Sequence, residues 1–466
     1  MRRARLLALA PLFLTGCAIG PNYHRPQVPA APQYRFSQEP AGSATSIVDT
    51  KWFDLFKDDV LTNLVQTALK DNFDLRIASQ RVLEARAQYG IQRSQLFPTL
   101  AASGSFNAQR SSTDGQNKFI PAGVNNDVTF TQAGFNLSWE IDVWGRLRRL
   151  NESARAQYLA SEEARRGVVT TLIGDVTRNY LQLREFDLEL DIAKRNKQIA
   201  QDGLHLTTVR HDLGAATGLD VHQAEQFLYT ATAQIALGER EIAQEEDALS
   251  LLLGKSPGEI PRGKALESFE VLPAVPVGMP SSLLERRPDI RQAEQNLVAA
   301  NAEIGAARAQ YFPEISLTGF LGAQSSALSN LFIGRSRQWN IAPSGTLPIF
   351  NANRIRNNVR LTEAQKGELL AAYEKSIQSG FREVSDALIG LKKNSEQRSQ
   401  QELLVKALQE TVRLSTLRYR GGLDSYLQVL DADRNLFAGE LTLAQLRNQE
   451  LDSIVDLYRA LGGGWQ

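Results

Sequence analysis

Sulfur and histidine are scarce in this 466-residue sequence, and each scarcity excludes a class of function. Cys17 is the single cysteine, so no disulfide can form within the chain. The four histidines are His24, His205, His211 and His222. None stands four residues from another or belongs to a His-Glu motif, so no zinc site is indicated. Beyond Met1 the one methionine is Met279, which leaves no thioether path for copper. We therefore expect no catalysis, no metal and no cofactor.

Long apolar runs and nucleotide motifs are missing as well. After the N-terminus no stretch of about eighteen apolar residues is free of charge, so any membrane-spanning part must consist of β-strands. No P-loop or dinucleotide fingerprint occurs, so energy for any work must come from a partner. Removing residues 1–16 takes away three arginines and no acid. The remaining chain is slightly acidic and has no basic patch for nucleic acid.

The N-terminus carries the pattern of an exported lipoprotein. Arg2, Arg3 and Arg5 precede an apolar run of roughly nine residues, far fewer than the ~20 that span a bilayer, which predicts a signal peptide over residues 1–16. Leu14-Thr15-Gly16-Cys17 resembles the bacterial lipobox, in which the cysteine takes a diacylglyceride and becomes the new N-terminus. Ala18 stands where the lipoprotein pattern reserves aspartate for inner-membrane retention, and this implies sorting to the outer membrane.

The chain repeats one plan twice. Phe97-Pro98 and Phe312-Pro313 open strand-like runs 215 positions apart, whereas Val209–Gly214 aligns with Leu417–Gly422 at an offset of 208. Because the offset changes only across the strand pairs, a length change in the loop between strands accounts for it. We predict a lipidated tail over residues 17–57, a first repeat over 58–256, a Pro/Gly-rich connector over 257–280 and a second repeat over 281–462.

Long proline-free stretches predict long helices. No proline occurs from residue 122 to 256 or after residue 348. The stripe Val176, Tyr180, Leu183 and Leu190 has the spacing of a packed, coiled-coil-like helix. In each repeat we predict a helix, a β-hairpin, a long helix and a shorter helix. The helices of the first repeat are predicted over about 58–96, 146–211 and 218–253, and the long one spans on the order of 100 Å.

Four segments between the helices are predicted to be strands, over about 97–107, 127–143, 312–324 and 336–349. In the second, Phe135, Leu137, Trp139, Ile141 and Val143 alternate with polar residues, which puts apolar groups on one face. Such alternation is typical of membrane strands with lipid on one side and water on the other, and also of half-buried strands in soluble sheets. If the strands span a membrane, four are too few to close a barrel. Two or more chains must then share one, since an open edge cannot stay in lipid.

Three segments, Cys17–Pro26 after the lipid site, Glu285–Glu294 at the start of the second repeat and Arg418–Leu436 at its last turn, resemble the TolC-type outer-membrane factors. The resemblance is closest to the lipoprotein branch that serves resistance-nodulation-division (RND) efflux pumps. It implies an α+β membrane protein: a homotrimer whose chains contribute four strands each to one transmembrane β-barrel, which continues into a long α-helical periplasmic barrel. It further implies contact with outer-membrane lipid, a periplasmic adaptor (membrane fusion) protein, an inner-membrane RND pump, and passive conduction of drugs or other small toxic molecules.

The resemblance also implies a gate at the tip of the helical barrel, formed by aspartate rings and by arginine, tyrosine and leucine contacts. The matching positions are Arg418, Tyr419, Leu427, Asp431 and Arg434, together with Asp187 on the long helix of the first repeat. Spacing puts Leu427, Asp431 and Arg434 on one helix face, where a ring of aspartates would attract cations. A simpler alternative makes Asp431 and Arg434 an i, i+3 surface pair worth a few tenths of a kcal/mol. The first repeat carries Gln223 and Gln226 at the equivalent positions, so any gate belongs to the second repeat.

Two other functions stay open at this point. A type I protein-secretion duct would share the fold, but the lipobox and the Glu285–Glu294 segment favour the RND branch. A structural coiled-coil lipoprotein would account for the anchor and the helices, but not for four alternating strands placed alike in both repeats. The sequence does not name the exported substrate.

Overall fold

The computed structural model describes residues 18–27, 33–36, 47–49, 55–110, 127–269, 277–278 and 280–464. The predicted signal peptide over residues 1–16 and the predicted lipidation site Cys17 lie outside these ranges. None of the helices within them is both long and apolar enough to cross a membrane.

The first repeat contains α1 (Asp59–Asp71), α2 (Phe73–Ser94), β1 (Thr99–Arg110), β2 (Asp127–Glu140), α3 (Arg146–Asp212) and α4 (Gly218–Leu252). The second contains α5 (Leu283–Arg286), α6 (Pro288–Ala309), β3 (Glu314–Ser325), β4 (Arg337–Thr346), α7 (Arg354–Arg420) and α8 (Tyr426–Ala460). Short 3₁₀ helices occupy Ile47–Asp49, Leu266–Ser268, Pro280–Ser282, Leu328–Asn330 and Gly334–Ser336. The predicted combination of four strands with long helices is confirmed.

The two repeats match element for element, which confirms the internal repeat. Helices α3 and α7 have 67 residues each, and α4 and α8 have 35 each. The offset is 215 between α2 and α6 and 208 between α3 and α7. The segment between β1 and β2 covers residues 111–126, whereas that between β3 and β4 covers only residues 326–336. Most of the length difference therefore lies in the hairpin loops, as predicted.

The prediction of one continuous helix over about 58–96 is wrong, because Asn72 separates α1 from α2 with an extended ψ of 134°. Its side-chain oxygen accepts the Leu75 N–H at 2.9 Å and caps α2, while its amide donates to the Leu252 carbonyl at 2.9 Å. Arg287, 215 positions later, is extended too, with ψ of 121° between α5 and α6. Both repeats therefore break their first helix at the same place.

The strand predicted over residues 127–143 ends earlier, at Glu140. Asp142 instead accepts the backbone N–H groups of Leu147 and Arg148, at 3.0 and 2.9 Å. A carboxylate at this position satisfies donors that the first turn of α3 leaves unpaired and favours the helix dipole. Asp142 thus serves the start of the long helix, while the Ile141 N–H still bonds to the Ile315 carbonyl of β3 at 2.8 Å.

The sheet has the order β1-β2-β3-β4 and is antiparallel throughout. Each repeat supplies one hairpin, and the pairing of β2 with β3 joins the two. Strands β1 and β4 are the edges. Within the described chain each pairs on one side only, so the backbone groups of its outer side have no strand partner.

By its contacts the chain divides into two compact units. The first takes residues up to Pro26, Val82–Ala160 and Ala293–Ala372 and holds the sheet. The second takes Gln27–Arg81, Ser161–Gln292 and Tyr373–Gln466 and holds both turns that follow the long helices.

In the second unit the predicted stripe of α3 is a core, since Val176, Tyr180 and Leu183 are fully buried. The Tyr180 hydroxyl donates to the Asp58 carboxylate at 3.1 Å and accepts the Gly263 N–H at 2.8 Å. Asp58 also caps α1 through the N–H of Val60. These bonds attach the segment that follows α4 to the start of α1.

Candidate functional site

Each long helix ends in the same reverse turn. After α7, Gly422 has φ of 73°, in the left-handed region that glycine enters at little cost. Its N–H bonds to the Tyr419 carbonyl at 3.0 Å, and the Leu423 N–H bonds to the Arg418 carbonyl at 2.9 Å. This pair of bonds is the Schellman motif, which ends a helix and reverses the chain. The turn at Gly214, after α3, has φ of 76° and the corresponding pair of bonds.

An apolar cluster from four helices packs behind the two turns. Its buried members are Ile192, Ala193, Ala200, Ala224, Phe227, Tyr419, Tyr426, Val429, Leu430, Phe437 and Ala444. Tyr419 and Tyr426 flank the second turn, with ring centroids 5.5 Å apart. The Arg210 guanidinium lies 4.5 Å from the centroid of the Tyr419 ring, a cation–π contact between the repeats. The predicted site residue Tyr419 is therefore buried and anchors the turn.

Tyr426 packs closely on the backbone of α3. A Cβ atom added to Gly203 would lie 2.7 Å from the Tyr426 hydroxyl, so only glycine permits this approach. Burial raises the pKa of Tyr426 to about 12, and the nearby Asp433 carboxylate and Tyr419 phenol add to the effect, whereas a hydrogen bond with Thr207 opposes it. The tyrosine is neutral at any physiological pH.

An ion pair spans the second turn. The Arg418 guanidinium donates to the Asp424 carboxylate through Nε at 2.5 Å and Nη2 at 3.1 Å. Hydrogen bonding to Arg418 lowers the pKa of Asp424. The first turn has Ala216 at the equivalent position and instead closes with a capping box between Thr217 and Asp220. The predicted site residue Arg418 thus holds the turn from outside.

The three remaining tip residues of α8 lie on an exposed face. Leu427 is 46% exposed, and Asp431 and Arg434 are exposed one and two turns further along. The Asp431 carboxylate accepts a hydrogen bond from the Asn435 amide at 3.2 Å. No ion pair joins Asp431 to Arg434 among the described residues, so the alternative of an i, i+3 surface pair is not realised in this structure.

Asp187 does not join this group. It lies 25 residues before the end of α3, roughly 37 Å along the helix axis. Its carboxylate pairs with Arg184 one turn earlier and with the Arg262 guanidinium at 3.1 Å. A carboxylate on an apolar stripe requires such a partner, and here the segment after α4 supplies it. The structure therefore places Asp187 in the attachment of that segment to α3.

Sequence reasoning missed Asp433, which is only 9% exposed on the packed face of α8. Within the described chain no hydrogen bond or ion pair reaches its carboxylate. Burial raises the pKa of Asp433 to about 6. The helical spacing predicts this buried position, because Asp433 stands seven residues after Tyr426 and four before Phe437, on the same apolar stripe.

A second group of carboxylates lies further from the turns, with the buried Glu185 and Glu189 on α3 and the half-buried Asp452 on α8. Burial, and then the charge of Glu189, raise the pKa of Glu185 to about 7. Burial raises the pKa of Asp452 to about 7 as well. Gln182 donates to Glu185 and Gln445 to Glu189, each at 2.9 Å. This unit therefore titrates at several points near neutral pH.

The sheet of the first unit has one apolar and one polar face. Cross-strand pairing aligns one row of Leu100, Leu137, Gly319 and Ile341 and a second row of Ala102, Phe135, Leu321 and Trp339. Both rows lie on the same face because their members are two residues apart along each strand. The large side chains are open, with Trp339 73% exposed and Leu100 66% exposed. The predicted alternation therefore extends across all four strands.

The opposite face is polar and internally hydrogen bonded. The Asn136 amide donates to the Ser103 hydroxyl at 2.6 Å, and the Ser316 and Ser344 hydroxyls lie 2.8 Å apart. Phe320 is an apolar side chain on this face. Its ring covers the paired glycines Gly134 and Gly322, where an added Cβ would come within 2.8 Å of the ring. An aromatic ring over glycine stabilises a sheet where no side chain fits.

The segment that follows Cys17 is fastened along the helices beside the sheet. The Ile19 N–H donates to the Trp144 carbonyl at 3.1 Å, and the Arg149 guanidinium donates to the carbonyls of Ile19 and Gly20. Further along, Arg25 forms a two-bond ion pair with Glu294. Two of the three segments that carry the family resemblance therefore meet. Ala18 packs on Gly145, five residues after the end of β2.

Comparison with known proteins agrees with this architecture. The family model described as outer membrane efflux protein matches residues 64–255 and 279–463. The solvent efflux pump outer membrane protein SrpC of Pseudomonas putida is 41% identical over 472 residues, covering 100% of this chain and 99% of SrpC. The cation efflux system protein CusC of Escherichia coli O6:H1 is 37% identical over 457 residues, covering 98% and 97%. The solved open state of the Neisseria gonorrhoeae MtrE outer membrane channel matches with a TM-score of 0.87 at 32% identity, covering 97% of this chain and 99% of that one.

Proposed function

Since the chain belongs to the outer membrane efflux protein family, it is an outer-membrane channel of a tripartite efflux system, and we propose that it passively conducts drugs or other small toxic molecules to the outside. The observation that carries the proposal is the sheet, with one exposed apolar face, one polar face and two edges that the chain leaves open. We propose no catalytic step, because the channel only has to provide a path.

The assembly that we propose is a homotrimer. Four strands from each chain make a twelve-stranded barrel, whereas four strands alone fall short of the minimum of about eight. Pairing of β1 of one copy with β4 of the next satisfies the open edges, which lipid cannot do. The rows that contain Trp339 and Leu100 then face outer-membrane lipid, and the face that contains Asn136 lines the water-filled path.

We propose that Cys17 carries a covalent lipid and is the N-terminus of the mature protein. The lipobox-like Leu14–Cys17 supports this, and so does the attachment of the residues that follow. Ile19 is hydrogen bonded to Trp144, so the lipid would enter the membrane close to the end of β2. A single acyl chain binds a membrane only reversibly, so the lipid adds to the anchoring by the strands rather than replacing it.

The partners that we propose are a periplasmic adaptor (membrane fusion) protein and an inner-membrane RND pump, which supply the energy that this chain has no motif to supply. Cargo selection belongs to the pump. SrpC is named for solvent efflux and CusC for cation efflux, yet both are related to this chain along nearly its whole length, at 41% and 37% identity. A channel fold that serves such different cargoes has little reason to bind them selectively.

We propose that the second turn is the gate. Leu427, Asp431 and Arg434 present one apolar and two charged side chains on an exposed face, while Tyr419 and Arg418 hold the turn from inside and outside. A related channel, MtrE, is known in an open state, so an open conformation is compatible with the fold. Asp187 is left out of the gate because Arg184 and Arg262 already pair with it.

Subunit counting and conductance test the proposal together. The full-length protein, purified in detergent, should cross-link to three copies and migrate more slowly on a gel before heating, as an intact trimer, than after heating, as single chains. In planar bilayers it should conduct rarely, because the gate is closed at rest. A monomer without conductance would contradict the proposal. Loss of resistance to solvents and dyes on deletion, with protein secretion intact, separates an efflux channel from a type I secretion duct.

A further inference from the structure

We propose that Asp433 is a positioning residue under proton control: neutral, it keeps α8 packed behind the second turn, and ionised, it favours release of that turn. The inference rests on the proposed function, since it takes the second turn to be the gate. Asp433 does not face the exposed gate side of α8. It acts on the gate through the packing of the helix that carries it.

The first observation is burial without a partner. Asp433 lies on the stripe formed by Tyr426, Val429, Leu430 and Phe437, which packs into the apolar cluster behind the turns. Only 9% of the residue is exposed, and no hydrogen bond or ion pair reaches its carboxylate within the described chain. A buried carboxylate in this state is costly when charged and much less so when protonated.

The second observation is that no positively charged side chain of the described residues pairs with Asp433. The polar and titratable groups beside the cluster include Asn196, Thr207 and Arg210 on α3, Tyr419 on α7, and Tyr426 and Arg434 on α8, while α4 contributes Ala224 and Phe227. Asn196 donates to the Ile192 carbonyl at 2.9 Å. Arg210 lies over the Tyr419 ring, and Thr207 donates to the Gly203 carbonyl at 2.8 Å. Arg434 is exposed. None of these groups pairs with Asp433.

The third observation comes from the first repeat, where the equivalent residue is Glu225. Its carboxylate is on the surface side of α4 and lies 2.8 Å from His222 Nδ1. Asp433 and Glu225 are both acids on the same turn of equivalent helices, yet only one is buried without a partner. Proton control is thereby confined to the repeat that carries the gate.

The direction of the effect follows from linkage. Burial raises the pKa of Asp433 from an ordinary value of 3.8 to about 6 in the packed arrangement. A group whose pKa is raised by packing stabilises that arrangement below its ordinary pKa, and the benefit is lost as pH rises toward the raised value. Between pH 5 and pH 7 the ratio of packed to released turns should fall about tenfold per chain. Acid therefore closes the turn and neutral pH loosens it.

The experiment compares the full-length protein with Asp433→Asn and with Glu225→Gln as the matched control, in planar bilayers from pH 5 to pH 8. The open fraction of the parent and of Glu225→Gln should rise at least about tenfold between pH 5 and pH 7, since the factor of ten applies to each of the three chains. Asp433→Asn should stay at the low open fraction of the acidic parent throughout. Glu185 and Asp452 titrate in all three proteins, so their contribution cancels in the comparison. A pH profile that Asp433→Asn leaves unchanged would overturn the proposal.

A readout that does not depend on conductance separates this inference from the proposed function. A spin label at Leu423→Cys, in the second turn, reports the spread of distances between copies. The spread should widen from pH 5 to pH 7 in the parent background and stay narrow with Asp433→Asn, or with Asp433→Leu if the asparagine variant fails to assemble. Unchanged distances in the parent would overturn proton control even if the channel conducts. Changed distances without any conductance would support proton control and count against the channel.

Discussion

The turn after α3 and the turn after α7 have the same backbone conformation, but different side-chain contacts close them. Each has a glycine near φ of 75° and the same pair of reversing hydrogen bonds. The first is closed by a capping box between Thr217 and Asp220. The second has no side-chain cap at Ser425 and relies on the Arg418–Asp424 ion pair together with the buried Tyr426.

The difference shows how a duplicated helical pair can specialise. The capping box is local, so the first turn forms without help from other helices. The second turn depends on contacts with α3 and with its own flanks, and such contacts can be broken without unfolding either helix. Conformational change is therefore expected at the second turn, and the first should act as a fixed reference.

The largest effect is expected from Tyr426→Ala. The substitution empties a fully packed position between α8 and α3 and should cost about 3 kcal/mol or more of local stability. Hydrogen exchange over the first turns of α8 measures it. The equivalent residue of the first repeat is Gly218, and Gly218→Ala should stabilise α4 by up to about 1 kcal/mol, because an added Cβ has open space there. An equal change in hydrogen-exchange protection at the start of α8 in Tyr426→Ala and at the start of α4 in Gly218→Ala would contradict a difference between the two turns.

Gly203→Ala should have the next largest effect, because its new Cβ would lie 2.7 Å from the Tyr426 hydroxyl. Overpacking of this kind costs about 1–3 kcal/mol, and Tyr426→Phe in the same chain should relieve part of it. Thermal melting of the single and double variants measures the coupling. Gly367→Ala, at a helical glycine with nothing within 4 Å of an added Cβ, is the control. Additive effects of Gly203→Ala and Tyr426→Phe would show that the contact does not hold the turn.

The two N-caps should respond unequally. Thr217→Ala removes a hydrogen-bonded cap and should cost about 1 kcal/mol of α4 stability. Ser425→Ala removes a side chain that makes no cap bond, so it should change α8 very little. Hydrogen exchange at the two helix starts compares them directly. A loss at Ser425 as large as that at Thr217 would mean that the second turn is capped as the first is.

The smallest effect is expected from Asp424→Asn, because Arg418 is exposed and Asp424 is only half-buried, so solvent screens this ion pair. Pairing with Arg418 lowers the pKa of Asp424, so the stabilisation is present above its ordinary pKa and is lost as pH falls through the lowered value. Exchange of the second turn should therefore quicken slightly in strong acid, and Asp424→Asn should abolish that change. The first turn, with Ala216 at this position, should show no such response.

Helix lengths and the offsets between repeats could be predicted from sequence because absent prolines and apolar spacing are local signals. The break at Asn72 could not, since its amide is held by the Leu252 carbonyl 180 residues away. The ion pair of Asp187 could not be predicted either, because its partner Arg262 lies beyond α4. The position of Asp433 on the apolar stripe of α8 could be predicted from spacing, whereas its lack of a hydrogen-bond partner in the described chain could not. Non-local partners decide the behaviour of a charged residue, and sequence spacing does not identify them.

The most direct test of the gate is single-channel conductance of the Asp431→Asn/Arg434→Gln variant beside that of Gln223→Ala/Gln226→Ala, which changes the equivalent positions of the first repeat. We expect the first variant to raise the open fraction of the trimer markedly and the second to leave it at the level of the parent. Unchanged conductance in both, or an equal rise in both, would contradict a gate built by the second repeat.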